Sequence, residues 1–250
     1  MSDEKKISDL RGENERLKSE VAKLKAQLAR EDKQIDLGEA RLRIAYEASV
    51  QSLVQAIESK DPFTRGRYEL VSRYAVVVGR RLGLDEEALD CLRTGGLLMD
   101  IGKVGIDNSL LTKAEPITRE EEKIIMSHVA VGAQILDPIV YPWDISTLIY
   151  QHHERFDGSG YPEGLKGDEI SMEAGILGIC DSFIAMMADR AYRGAYGREF
   201  TIKELKQESG KKYDPRIVEA FIGVLESGEA PAIENVTQDA PSGPDEDPVN

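Results

Sequence analysis

The stretch HHERFDGSGYPEGLKGDEI, His152–Ile170, sets two adjacent histidines at the head of a run rich in glycine and proline. Neighbouring residues cannot share one helix face, but at a helix end both can turn into a single site. Glu154 and Asp157 follow at once. The glycines and the proline beyond them supply turn geometry and break regular structure. The stretch therefore reads as a helix end that runs into a shaped loop carrying titratable groups.

Outward from this loop the chain is patterned for helix. SVQSLVQAIESK (Ser49–Lys60) and YELVSRYAVVVGRRLGL (Tyr68–Leu84) carry apolar residues at three- and four-residue spacing. TREEEKIIMSHVAVGAQIL (Thr118–Leu136) opens with Thr118 three residues before Glu121, the pattern of a capping box. Gly83 reads as a helix stop, and Gly95–Gly96 as a close helix contact. No stretch alternates as a strand would. The expected fold class is all-α, with about seven or more helices over 42–226 packing their apolar faces together.

All three histidines, His128, His152 and His153, lie in this region. Asp100, in LLMDIGKVGI (Leu97–Ile106), and Asp181, in GICDSFIAMMADRAYR (Gly178–Arg193), stand on otherwise apolar helices. A buried carboxylate needs a partner, because unpaired burial costs several kcal/mol. One histidine alone reads as a hydrogen-bonded structural residue. Three histidines with two such aspartates are the parts of an N/O metal site.

The flanks differ. Ile7, Asn14 and Val21 fall at heptad position a, and Leu10, Leu17 and Leu24 at d, with Leu28 continuing the seam. Glu13 and Glu20 at g face Lys18 and Lys25 at e, so residues 1–41 are expected to form a parallel coiled-coil homodimer. Residues 227–250 combine Pro, Gly and acidic side chains without Lys or Arg, and read as a disordered acidic tail. A net charge of -14 argues against nucleic acid and anionic membrane surfaces as partners. Two cysteines in apolar surroundings, no signal-peptide pattern and no span-length apolar run lead to a cytoplasmic expectation.

Beyond these patterns, the sequence resembles the HD-GYP family of HD-superfamily cyclic di-GMP phosphodiesterases. The resemblance rests on KDPFTRGR, LLMDIGKVGI, SHVAVGAQIL, HHERFDGSGYPEGLKGDEI, CDSFIAMMADRAYR and SGKKYDPRIVEAF, in the family's order over roughly residues 58–225. It implies an all-helical HD-domain bundle that binds two or three iron, manganese or similar ions. It implies metal ligands at Asp100, His128, His152, His153 and Asp181, and a phosphate-orienting Lys103 in the catalytic position. Gly160, Tyr161 and Pro162 take the signature positions, and Arg190 a nucleotide-contacting one. Two ligand histidines of the family are absent: their positions hold Arg67 and Met99. A further departure places Ile184 at a family aspartate.

These substitutions carry physical consequences. A thioether is a soft ligand, poorly matched to harder cations, and an arginine cannot deprotonate to become one. Arg67 is expected to reach Asp100 and Asp181 and to stand in for a cation there, with Met99 filling the vacated imidazole volume. No ion is then expected at full occupancy, beyond weak iron, manganese or another divalent ion on the remaining histidines. The functional expectation is a degenerate, catalytically inactive HD-GYP-like regulator. It would bind cyclic di-GMP through Lys103, Arg190 and the Gly160 backbone, or dock a diguanylate cyclase or other signalling protein on its Gly158–Gly167 loop. The alternatives are a residual metal-dependent cyclic di-GMP phosphodiesterase with a remodelled site, and a purely structural scaffold.

Overall fold

The computed structural model describes residues 2–60, 64–113, 115–188 and 194–233. The chain divides into two units, residues 1–49 and 50–250. The first is occupied by helix α1 (Ser2–Glu58), which ends inside the second. Ile7, Leu10, Leu17, Val21, Leu24 and Leu28, the seam residues of the heptad pattern, are 49 to 64% exposed. Leu42 and Ile44 are exposed as well, and among the described residues Val50 is the first that is buried. The compact unit therefore begins about two turns later than the pattern break at residue 42.

That unit is built from α2 (Arg67–Arg81), α3 (Glu86–Leu98), α4 (Asn108–Leu111), α5 (Arg119–Met126), α6 (His128–Leu136), α7 (Ile145–Gln151), α8 (Met172–Met187), α9 (Arg198–Gln207) and α10 (Pro215–Ser227). Short 3₁₀ turns at Ile101–Gly105 and Gly167–Glu169 complete it. Among the described residues there is no strand, only isolated bridges. The fold is all-α, as the periodicity predicts.

Local chemistry fixes the helix ends. Thr118 Oγ1 accepts from Glu121 N (3.2 Å) while Glu121 Oε2 accepts from Thr118 N (2.8 Å), so the capping box is formed. Asp85 caps α3 by accepting from Ala88 N at 2.9 Å. Gly83 follows α2 at φ +79°, a left-handed stop open to glycine.

The core runs between α2, α3, α8 and α10. At Gly96 on α3, an added Cβ would lie 2.5 Å from Ser72 Cα on α2, so the two helices touch backbone to backbone. Tyr74, Phe183 and Phe221 form an aromatic cluster, with Phe183 edge-on to Phe221 at 5.0 Å between centroids. Beyond α10, Ala230 and Ile233 pack on this core and Pro231 O accepts from Tyr74 OH at 3.0 Å. Packing thus continues to Ile233. The acidic stretch from 234 on lies outside the described residues. Cys91 and Cys180 are buried free thiols, and among the described residues no helix is long and apolar enough to cross a membrane.

Candidate metal centre

Four elements converge on one pocket. Asp100 follows α3 and caps the Ile101–Gly105 turn, His128 opens α6, His152 and His153 end α7, and Asp181 sits mid-α8. The close approach of the first two depends on Gly102. A Cβ there would fall 1.9 Å from His128 O, so only glycine lets the turn lie against α6. Asp100, His128, His152 and His153 can each offer one ligand atom, and these atoms all lie within 4.8 Å of one another.

The histidines are oriented for ligation. His128 Nδ1 lies 2.6 Å from Ile125 O, and His152 Nδ1 lies 2.6 Å from Ile149 O. A carbonyl accepts only, so each Nδ1 carries the proton and each Nε2 presents its lone pair inward. Both Nε2 atoms are buried without a hydrogen-bond partner. His128 Nε2 stands 3.2 Å from Asp100 Oδ1, but it is not aligned for a hydrogen bond. Burial and the neighbouring His128 push His152 down to about 4, and burial with the adjacent imidazoles lowers His153 well below its usual value. Both rings are therefore neutral at pH 7, the form a metal ligand requires.

Asp100 is divided between two roles. Its Oδ2 accepts from Lys103 Nζ (2.7 Å) and Tyr68 OH (3.2 Å), whereas Oδ1 faces the imidazoles. Burial alone would raise its pKa. Lys103 and, at longer range, Arg67 overcome that and hold the carboxyl well below its usual range. Lys103, expected to orient phosphate, spends its ammonium on this carboxylate in the structure.

The sequence-based expectation for Arg67 needs one correction. Its guanidinium is 6% exposed and bonds Asp181 Oδ1 through Nη2 at 2.5 Å, but Asp100 is bonded by Lys103 and Tyr68 instead. Burial opposes its charge, yet Asp181 and, at longer range, Asp100 keep it firmly protonated. Arg67 opens α2 and Asp181 sits on α8, so the pair is fixed by helix packing rather than by local sequence. Met99 is fully buried in the core beside Asp100. Ile184 is likewise buried.

The signature loop closes over the pocket. Tyr161 stacks on His153 with ring centroids 4.8 Å apart, and its bond to Pro162 is cis. Gly160 lies against the Glu154 backbone, where a Cβ would come within 2.5 Å of Glu154 Cα. Asp157, near the histidines in sequence, turns outward and accepts from Ser159 N. Arg190 lies outside the described residues.

Two contributors escape sequence reasoning. Tyr68 donates to Asp100 although it reads as a core aromatic. Glu154 is 5% exposed and accepts from Glu163 N, Gly164 N and Leu165 N at 2.7, 3.1 and 3.1 Å, tying the loop down. A carboxylate directly between paired histidines and a glycine-rich loop is the signal that could have found it.

The donor set fits a metal. Three imidazoles and one carboxylate oxygen, two of the nitrogens buried and unpartnered, suit iron, zinc or manganese. Asp100, His128, His152 and His153 would hold such an ion. Bound there, it would supply Lewis acidity and lower the pKa of water.

Fold and site together define an all-helical protein with a histidine–aspartate metal pocket. Residues 51–217 match the family model described as HD domain, and the chain belongs to that family. The cyclic di-GMP phosphodiesterase response regulator RpfG of Xanthomonas campestris pv. campestris is 34% identical over 176 residues, 70% of this chain and 47% of that protein. A cyclic di-GMP phosphodiesterase of Thermotoga maritima is 36% identical over 169 residues, 66% of this chain and 45% of that one. The crystal structure of a cyclic GMP-AMP-specific phosphodiesterase of V. cholerae, V-cGAP3, superposes with a TM-score of 0.55 at 17% identity. It covers 72% of this chain and 48% of that one, a likeness of fold. The chain spans about half the length, or less, of these relatives. The motif resemblance to HD-GYP phosphodiesterases accords with these matches.

Proposed function

We propose that this protein is a regulatory member of the HD-domain family that binds a cyclic dinucleotide, cyclic di-GMP first among them, without hydrolysing it. The observation that carries this reading is the buried Arg67–Asp181 pair, 2.5 Å apart, together with a Met99 that is fully buried. A fixed guanidinium holds a carboxylate that hydrolysis would need for a cation, and the neighbouring ligand position is apolar. With Asp181 committed to Arg67, a second cation that would stabilise the leaving alkoxide is missing, even where one ion activates a water. The ligand class comes from the relatives, whose names assign them cyclic di-GMP.

Ligand contacts would come from Lys103, from the Gly160–Pro162 loop ordered by Glu154, and from Arg190. A diguanylate cyclase or another signalling protein docking on the Gly158–Gly167 loop is the second mode of action we assign to this surface. The exposed Ile7–Leu28 seam supports a parallel homodimer, since six half-exposed apolar residues in heptad register call for a partner helix. Buried free thiols agree with a cytoplasmic site of action.

A residual phosphodiesterase is the competing reading, favoured by the four-donor cluster. The deciding experiment incubates the protein with cyclic di-GMP and manganese or ferrous iron. It follows linear product by chromatography and measures binding by calorimetry on the same sample. Binding with no product is expected. Turnover near once per second, within the ordinary enzyme range, would refute the reading. Dimerisation is checked by light scattering: Leu17→Asp with Leu24→Asp should yield monomer, and an unchanged mass would exclude the coiled coil.

A further inference from the structure

We infer that Arg67 is a tethered replacement for one metal ion, so that the pocket loads a single divalent cation rather than a cluster. The inference deepens the functional reading above and rests on it for the ligand, but not for the metal count.

The available donors limit how many ions the pocket can hold. A centre with two ions needs carboxylate oxygens to spare, since each cation must be surrounded and its charge compensated. Asp181 has Oδ1 taken by Arg67 Nη2, and Asp100 has Oδ2 taken by Lys103 Nζ and Tyr68 OH. A carboxylate bridging two cations uses both its oxygens. Neither aspartate can do so without breaking a buried ion pair. Apart from Asp181 Oδ2, which belongs to a carboxylate already paired with Arg67, what remains is Asp100 Oδ1 with the imidazoles of His128, His152 and His153, which is one clustered ligand set for one ion.

Charge leads to the same count. Arg67 is pinned between helices, 6% exposed, and it cannot release its proton. A second divalent cation placed against Asp181 would meet this guanidinium at close range with little water between them. Asp100 Oδ1, with the buried, unpartnered Nε2 atoms of His128 and His152, would hold the single ion. Met99 completes the replacement, because its side chain occupies core volume and offers only a soft sulfur.

The test is metal stoichiometry on the full chain, stripped with chelator, reloaded with manganese and gel-filtered. Elemental analysis of the wild type should give about one ion per chain, and electron paramagnetic resonance should show an isolated Mn(II) without exchange coupling to a neighbour. His152→Ala should lose the ion. Arg67→His with Met99→His, which returns two nitrogen ligands and frees Asp181, should raise the content to about two, with a coupled spectrum. Two coupled ions in the wild type would overturn the inference, and so would a folded wild type that takes none at millimolar manganese. The wild-type count decides even if the double variant fails to fold. The outcome is also separable from the functional reading. One ion with rapid hydrolysis would refute binding without turnover and leave this inference standing, whereas two ions without hydrolysis would do the reverse.

Discussion

Arg67→Met should destabilise the compact unit by about 3–5 kcal/mol, the usual cost of removing one partner of a buried pair. The two side chains are only 7% and 10% exposed, and their charged atoms meet at 2.5 Å. Methionine keeps much of the arginine's bulk but leaves the Asp181 carboxylate in a pocket with little water. Asp100 loses a supporting positive charge as well. Against a total stability of about 5–15 kcal/mol, such a loss is large. At about 2–4 °C per kcal/mol for a domain of this size, it corresponds to a drop in melting temperature of about 6–20 °C. The assay is urea and thermal unfolding with EDTA present, so that no cation takes the guanidinium's place. The variant Arg67→Met/Asp181→Leu closes the cycle. With both charges gone and apolar volume in their place, stability should return to within about 1–2 kcal/mol of the parent, because paired burial of charge contributes little net stability over a packed apolar pair. If Arg67→Met costs under about 1 kcal/mol, or if the double variant is no better than the sum of the singles, the pair is not the buried, mutually dependent unit described here.

Two further outcomes test the framework and the loop. Gly96→Ala should lower stability by about 1–3 kcal/mol in chemical denaturation, since the new Cβ meets Ser72 Cα at 2.5 Å and only helix separation relieves it. Glu154→Ala removes three backbone hydrogen bonds at once, so hydrogen exchange at the amides of Glu163, Gly164 and Leu165 should accelerate by about tenfold or more while α2 and α3 keep their protection.

Periodicity, capping and glycine placement are local properties, and those were legible. The α5 capping box and the stop at Gly83 follow from neighbours a few residues apart, and the Gly95–Gly96 pair marked a close helix contact whose partner, Ser72 on α2, only packing supplied. The motif order also picked out Asp100, His128, His152, His153 and Asp181 as one set; the ligand atoms of the first four do lie together, whereas Asp181 is paired with Arg67. Tyr68 was not legible, because a tyrosine on an apolar face gains its role only from what packs against it; Glu154 showed its place beside the histidines but not the three loop amides it binds.

Residue identity alone shows which groups are present for a metal pocket and which are missing, since Arg67 and Met99 cannot become hard-cation ligands in any conformation. How the remaining charges divide follows from long-range packing. Arg67 and Asp181 are 114 residues apart, and the choice of Asp181 over Asp100 depends on how α2 meets α8. The same packing gives Asp100 Oδ2 to Lys103 and Tyr68 and turns Oδ1 toward the imidazoles. Which atom of a carboxylate is free is a matter of tenths of an ångström and of side-chain direction, set by long-range packing that no spacing along the chain encodes.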